Sequence, residues 1–247
     1  MANKIIAVLA VHNEQKFLPY ILPSLGRSTD LVVAVLDNCT DESEKLLNVL
    51  CNVEKIILKK HRWRNPRAES KYAGIMLAKN LGDYILVSDC DLVLDDYSVK
   101  KAERILDTQK VDAVVFAYKQ YTLNGGVLCR FKDELLNLFG WLTKRVFKQP
   151  VLSGTYLVRA DKAGMKDVTS DYESVLPELE TVWLPTGFKH LRPRYDCVSQ
   201  VTMGISRATL KNYNFVKVLV YSVFTLSPLV LAGFLSEKLV CDHVTDY

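Results

Sequence analysis

The sequence has no Cys-x-x-Cys pair. Its six cysteines stand at positions 39, 51, 90, 129, 197 and 241, and no His/Cys spacing resembles a zinc site. A zinc module is thereby excluded, and the scattered thiols read as reduced cysteines of a cytosolic environment. The glycine loops that cradle phosphates are also missing. Neither G-x-G-x-x-G nor G-x-x-x-x-G-K-[ST] follows any apolar run, which removes dinucleotide enzymes and P-loop NTPases. Excess charge is small: a net charge of +4 does not by itself indicate a nucleic-acid partner, and none is expected. No internal repeat and no low-complexity linker interrupts the chain. The opening "MANKIIAVLAVHNE" has no small-residue cleavage site after its apolar run. That run reads as a first buried strand and not as a secretory leader.

What is present is an alternating pattern. With 247 residues and 49% hydrophobic content, the chain suits one α/β domain, or a domain with an appendage. "KIIAVLAV" is continuously apolar, as strands buried on both faces of a parallel sheet are. "EQKFLPYILPSLGRS" follows with helical spacing, and "DLVVAVLDN" is a second strand. "TDESEKLLNVLCN" opens with a capping box, Thr40 or Asp41 ahead of Ser43 and Glu44. "VEKIILKK" is a third strand, and "RAESKYAGIMLAKNL" is a helix with Gly82 as its stop. "DYILVSD", "SVKKAERILDTQ" and "VDAVVFAYKQY" continue as strand, helix and strand. Connections of this kind gather the turns after the strands at one rim of the sheet. The polar clusters His12 to Glu14, Asp37 to Asp41 and Asp89 to Asp91 all fall on such turns.

After residue 120 the regularity fails. "DELLNLFGWLTKRVFKQ" has the spacing of an amphipathic helix with a basic end, as interfacial helices have. "VLSGTYLVRAD" reads as a strand, and "TSDYESVLPELE" as an acid-rich loop. "TVWLPTGFKHLRPRY" shows only a Pro- and Arg/Lys-rich composition. Residues 215–235, "FVKVLVYSVFTLSPLVLAGFL", carry one charge, Lys217. Their length is near the ~20 residues that cross a bilayer. The expectation is membrane contact, and the alternative is a buried helix pair broken at Pro228. Arg192, Arg194, Arg207 and Lys211 precede the segment and only Lys238 follows it closely. If it spans, that bias keeps the preceding domain in the cytosol.

The chemistry concentrates in "ILVSDCDLVLDD". Asp89 and Asp91 stand two apart at the end of a strand. Hard divalent cations such as Mg²⁺ or Mn²⁺ take oxygen ligands, and one or two carboxylates suffice when a diphosphate fills the remaining positions. The plainer alternative is a polar strand-to-turn boundary, where Asp is common.

In its ordered set of motifs the chain resembles the GT-A-fold glycosyltransferases of family 2. "AVLAVHNEQKFLPYILPSL" is similar to that family's first strand, N-E turn and helix. "LVVAVLDNCTDES" resembles its D-N-x-[ST]-D turn, and "KYAGIMLAKNLGDYILVSDCDLVLDD" its helix, glycine, strand and D-x-D. "LSGTYLVRAD" and "TSDYE" resemble the acceptor-side segments that follow. The resemblance implies a mostly parallel, Rossmann-like α/β sheet with flanking helices, plus a C-terminal hydrophobic helical segment. It implies a catalytic domain over 1–210, with a nucleotide-sugar half at 1–120 and an acceptor half at 121–210, and a membrane-associated segment at 211–247.

Roles follow residue by residue from the resemblance. Asp37 hydrogen-bonds the nucleoside, and Asn13 and Glu14 line its pocket. Lys71 approaches the diphosphate, unless it is a solvated helix charge. Asp89 contacts the ribose or a Mg²⁺ or Mn²⁺ ion, and Asp91 ligates that ion. Glu14 has a second reading, as a cap for the next helix. Asp171 is the general base. The family's Glu-Asp base motif stands here as Ser170-Asp171-Tyr172-Glu173, so Glu173 competes with it. His190 falls where some relatives place a metal- or diphosphate-contacting group; its alternative is structural. "VSQVTMGISRATL" lacks the Q-x-x-R-W element, which argues against a processive polysaccharide synthase.

The activity implied is metal-dependent, inverting transfer of a hexosyl group from a nucleotide diphosphate sugar, the donor, to a lipid-linked acceptor. It would occur at the cytoplasmic face of a membrane. The alternatives are a soluble glycosyltransferase acting on a sugar or protein, a nucleotidyltransferase, and a degenerate nucleotide-sugar binding module. A nucleotidyltransferase usually carries a G-x-G-T-R loop that "AVHNEQK" lacks. A degenerate module fits poorly with Asp37, Asp89, Asp91 and Asp171 all in place. Sugar, base and oligomeric state are not legible.

Overall fold

A computed structural model describes residues 3–50, 56–61, 68–118, 155–164, 179–186, 189–191 and 219. The chain divides into two units, Met1–Lys119 with Leu152–Leu191, and Gln120–Val151 with Arg192–Tyr247. Only the first is described beyond a single residue.

The first unit is built on the strands β1 (Ile5–Val11), β2 (Leu31–Asp37), β3 (Ile56–His61) and β4 (Tyr84–Ser88), with helices α1 (Leu18–Ser28), α2 (Ser43–Leu50) and α3 (Ala68–Ala78) between them. There follow a short β5 (Leu92–Val93), α4 (Asp96–Thr108), β6 (Ala113–Tyr118), β7 (Tyr156–Arg159), β8 (Thr181–Thr186) and β9 (Lys189–His190). The main sheet has seven strands in the order β3-β2-β1-β4-β7-β6-β8, and β5 pairs with β9 separately.

The continuous apolar runs have their expected cause. Every residue of β2 and β4 is buried, because helices cover both faces of the sheet. Ala7, Leu9 and Val11 face α1, α2 and α4 through Leu18, Ile21, Leu25, Leu47, Val99 and Leu106. Ile6 and Val8 face α3 through Ile75 and Ala78. Full burial of one such Leu or Ile stabilises by about 1.5–3 kcal/mol.

β1 pairs in parallel with β2 and β4, and β2 with β3. Their C-terminal ends therefore lie on one edge, as the sequence pattern requires. Three features depart from that pattern. β7 runs antiparallel between β4 and β6. β8 is a strand inside the Pro- and basic-rich stretch; among the described residues it pairs only with β6 and ends the sheet, and its Pro185 sits opposite Ala117, where a missing N–H is tolerated. Gly82 is no left-handed helix stop, since no described glycine has positive φ. A Cβ there would stand 2.6 Å from Ile6 Cγ1 and 2.7 Å from the Lys4 carbonyl oxygen, so glycine permits the chain to pass close over β1.

Among the described residues no helix is long and apolar enough to cross a membrane. Residues 134–149, and 215–235 apart from Leu219, lie outside the described set.

Candidate active site

The turn after β1 and the turn after β2 are stitched together. Asn13 and Asn38 both adopt left-handed backbone, with φ of 55° and 49°, a conformation that Asn tolerates better than most residues. Asn13 Oδ1 accepts from the Thr40 N–H at 2.8 Å, the Asp41 N–H at 3.3 Å and the Thr40 hydroxyl at 3.3 Å. Asp41 Oδ1 accepts from the first N–H of α2, Ser43, at 3.0 Å. Of the two candidate caps for α2, Asp41 therefore acts and Thr40 turns to Asn13. The Glu14 N–H donates to Ser43 Oγ at 2.8 Å, and the Glu14 carbonyl accepts from Phe17 and Leu18. Its side chain is buried, and Phe17, the N-cap residue of α1, makes no side-chain cap bond. The backbone of Glu14 thus takes part in starting the helix, as its capping reading expects.

Asp37 ends β2 and is buried. His12 Nδ1–H donates to its carbonyl oxygen at 2.6 Å. The Ser70 hydroxyl donates to its Oδ2. Oδ1 is buried with no hydrogen-bond partner among the described residues. An orphaned carboxylate oxygen is costly, so a buried one marks a place where a donor belongs.

Lys71 is 2% exposed, and its ammonium donates to Asp89 Oδ1 at 2.7 Å. It is therefore no solvated helix charge. Its neighbour on α3, Ser70, bonds Asp37 across 33 residues. Consecutive residues of one helical turn thus grip the ends of two strands.

β9 pins the D-x-D turn. The Leu191 N–H donates to the Asp91 carbonyl at 2.7 Å, and His190 lies opposite Leu92. The residue that this register sets against Asp91 is Leu191, one position after His190. Between the two aspartates, the Cys90 thiol donates to the Ala10 carbonyl at 3.2 Å. Burial pushes this thiol well up, and the charges of Glu14, Asp91 and Asp89 add to the rise against Lys71. Asp89 and Asp91 flank Cys90 in the sequence, and Glu14 and Lys71 are near enough for their charges to act on its thiol. Burial, then the Asp89 charge, also raise the Tyr156 phenol. The remaining acids of the stretch serve the fold. Asp95 caps α4 by accepting from Ser98 N–H at 2.7 Å, and Asp96 accepts from the Ser28 hydroxyl at 2.6 Å.

The two aspartates of this turn are oxygen donors, the ligand type that a hard divalent cation takes. Among the described residues no three His, Cys, Asp or Glu side chains form a metal-binding group. Two carboxylates are what a Mg²⁺ needs when a diphosphate completes its shell. Asp171 and Glu173 lie outside the described residues.

Residues 6–156 match the family model described as glycosyl transferase family 2. The chain belongs to that family. This glycosyltransferase is similar in fold to the S. aureus protein TarS 1-349, at 16% identity over 95% of this chain and 71% of that one, with a TM-score of 0.53. A second TarS 1-349 structure, in complex with UDP-GlcNAc, aligns at 15% identity over 90% and 71% of the two chains, with a TM-score of 0.54. The glucosyl-3-phosphoglycerate synthase of Mycobacterium tuberculosis, in complex with Mn²⁺, UDP and phosphoglyceric acid, aligns at 16% identity over 77% and 72%, with a TM-score of 0.52. The chain spans only 42% of a longer TarS structure. No curated protein sequence matches the glycosyltransferase significantly. Sequence reasoning missed Ser70, and it placed Ser43 in the capping box without its bond to Glu14, because a serine in a helical stretch carries no signal until the partner it reaches is known.

Proposed function

We propose that this glycosyltransferase moves a hexosyl group from a nucleoside diphosphate sugar to a lipid-linked acceptor, with inversion and with a divalent cation. The observation that carries this is the buried Asp37 carboxylate, its Oδ1 awaiting a donor, on the same sheet edge as the D-x-D turn and its buried Lys71–Asp89 pair. A nucleoside N–H or O–H supplies what Oδ1 lacks. TarS and the mycobacterial synthase bind UDP or a UDP-sugar, which supports the donor class.

Asp91, with Asp89, would hold Mg²⁺ or Mn²⁺, and such an ion places positive charge against the leaving diphosphate. Asp89 already shares one oxygen with Lys71, so Asp91 is the principal ligand, and His190, opposite Leu92 in the register, is a further candidate. Lys71 neutralises part of the carboxylate cluster and brings a cation to the diphosphate end. Asn13 and Glu14 form the wall next to Asp37 by joining the two turns. On the acceptor side, Asp171 removes the proton of an attacking hydroxyl, with Glu173 as its competitor. A single base and direct displacement invert the anomeric carbon. The domain would comprise residues 1–210. Residues 211–247 would hold the enzyme at the cytoplasmic face of a membrane, either spanning it once or lying on it, where a lipid-linked acceptor is presented.

Incubating the purified enzyme with a panel of nucleotide sugars, with Mn²⁺ or with EDTA, tests this. Release of one nucleoside diphosphate that needs the metal is expected. Metal-independent release, or none from any donor, would contradict it.

A further inference from the structure

Ser70 carries no charge and belongs to no motif, yet it is tied to a strand end. It is fully buried in the first turn of the helix. Its hydroxyl reaches the last residue of β2 and donates to one oxygen of Asp37. A carboxylate turns easily about its terminal bond, so without a fixed donor the plane of the Asp37 carboxylate is not held at one angle. With Ser70 on Oδ2, and His12 holding the carbonyl of the same residue at 2.6 Å, Asp37 is clamped at both side chain and backbone. Only Oδ1 is left without a partner among the described residues.

The height of α3 above the sheet makes this reach possible. Gly74 lies one turn beyond Ser70, on the same helix face. A Cβ on Gly74 would stand 2.5 Å from Val8 Cγ1 and 3.1 Å from Val35 Cγ2. Glycine therefore sets the helix closer to β1 and β2 than any other residue permits. Lys71, the next residue, ties the same turn to Asp89 at the end of β4.

We propose that Ser70 is a positioning residue for donor binding: it fixes the plane of the Asp37 carboxylate so that the oxygen not bonded to Ser70 is aimed at the nucleoside. Through Lys71, the same helical turn fixes the spacing between the nucleoside end of the site and its D-x-D end. This rests on Asp37 holding the nucleoside, as set out above. A serine that merely satisfied a buried acid would affect stability alone.

UDP and GDP, each titrated with Mn²⁺ into wild type, Ser70→Ala, Ser70→Cys, Asp37→Ala and the Ser70→Ala/Asp37→Ala double variant, distinguish these roles. Ser70→Ala is expected to weaken the nucleotide that binds by about tenfold, the weight of one charge-assisted hydrogen bond. It should raise the donor KM more than it lowers kcat. Cysteine is nearly the same size but a weaker donor, so Ser70→Cys should fall between wild type and alanine. If Ser70→Ala does not fold, the Cys variant decides, and weakened binding is required of it. In the Asp37→Ala background the loss of Ser70 should change affinity less than about twofold, because coupled residues are not additive. Wild-type affinity in both Ser70 variants, or a full tenfold loss that persists without Asp37, overturns the proposal. If Asp37→Ala itself binds nucleotide normally, the reading of Asp37 fails first and Ser70 with it. If Asp37→Ala is weak and both Ser70 variants are normal, only Ser70 has been misassigned.

Discussion

Replacing Lys71 by methionine keeps the length of the side chain and removes its charge. The Lys71 side chain is 2% exposed, and that of its partner Asp89, at 2.7 Å, is 24% exposed. Removing one partner of a fully buried pair costs about 3–5 kcal/mol, because an uncompensated charge stays behind. Asp89 keeps part of its surface in water, so the cost here is lower, about 2 kcal/mol. For a chain of this size, each kcal/mol moves the melting midpoint by about 2–4 °C. The Lys71→Met midpoint should therefore fall by about 4–8 °C in thermal unfolding followed by circular dichroism. Asp89→Asn in the same chain should recover part of that loss, because the orphaned charge is gone, and the two substitutions should couple by about 1 kcal/mol or more. A midpoint within about 1 °C of wild type, with additive effects in the double variant, would refute the buried pair and restore a solvated lysine.

Other substitutions probe the remaining parts. Gly74→Ala gains helix propensity but drives a methyl into Val8 and Val35; the net loss should be about 1–2 kcal/mol by chemical denaturation, and donor affinity should fall with it because Ser70 moves away from Asp37. Asp171→Asn should abolish transfer while leaving donor binding nearly intact, as expected of a group that acts on the acceptor; a dead Glu173→Gln beside an active Asp171→Asn would move the base to Glu173. Deleting residues 213–247 should release the protein from lipid vesicles in flotation assays and weaken use of lipid acceptors more than donor hydrolysis. A full-length protein that ignores vesicles and stays soluble and monomeric without detergent would count against membrane association.

The strand ends that form the site were legible because burial on both faces makes β1, β2 and β4 continuous apolar runs, and the polar residues that follow each run then mark one edge. β8 was not legible. An edge strand needs no unbroken apolar run and tolerates Pro185, so its composition looks like a loop. β7 reads as a strand from "YLVR", but its antiparallel insertion between β4 and β6 is a property of topology that no local pattern carries. Asp37, Asp89 and Asp91 stood out as charges where apolar runs end. Ser70 did not, since its importance lies in a bond to a residue 33 positions away. Lys71 was ambiguous for a related reason. A helix that packs one turn of polar residues against strand ends shows no clean apolar stripe, so the buried face cannot be told from the wet one.

Calorimetric titration of UDP and GDP into wild type and Asp91→Asn, with Mn²⁺ and again with EDTA, tests the central claim most directly. Saturable binding of one nucleotide that needs Mn²⁺ and is lost or much weakened in Asp91→Asn is the expected result. No binding of either nucleotide with Mn²⁺, or equal binding in EDTA and in the variant, would contradict a metal-assisted nucleotide-sugar site on this sheet edge.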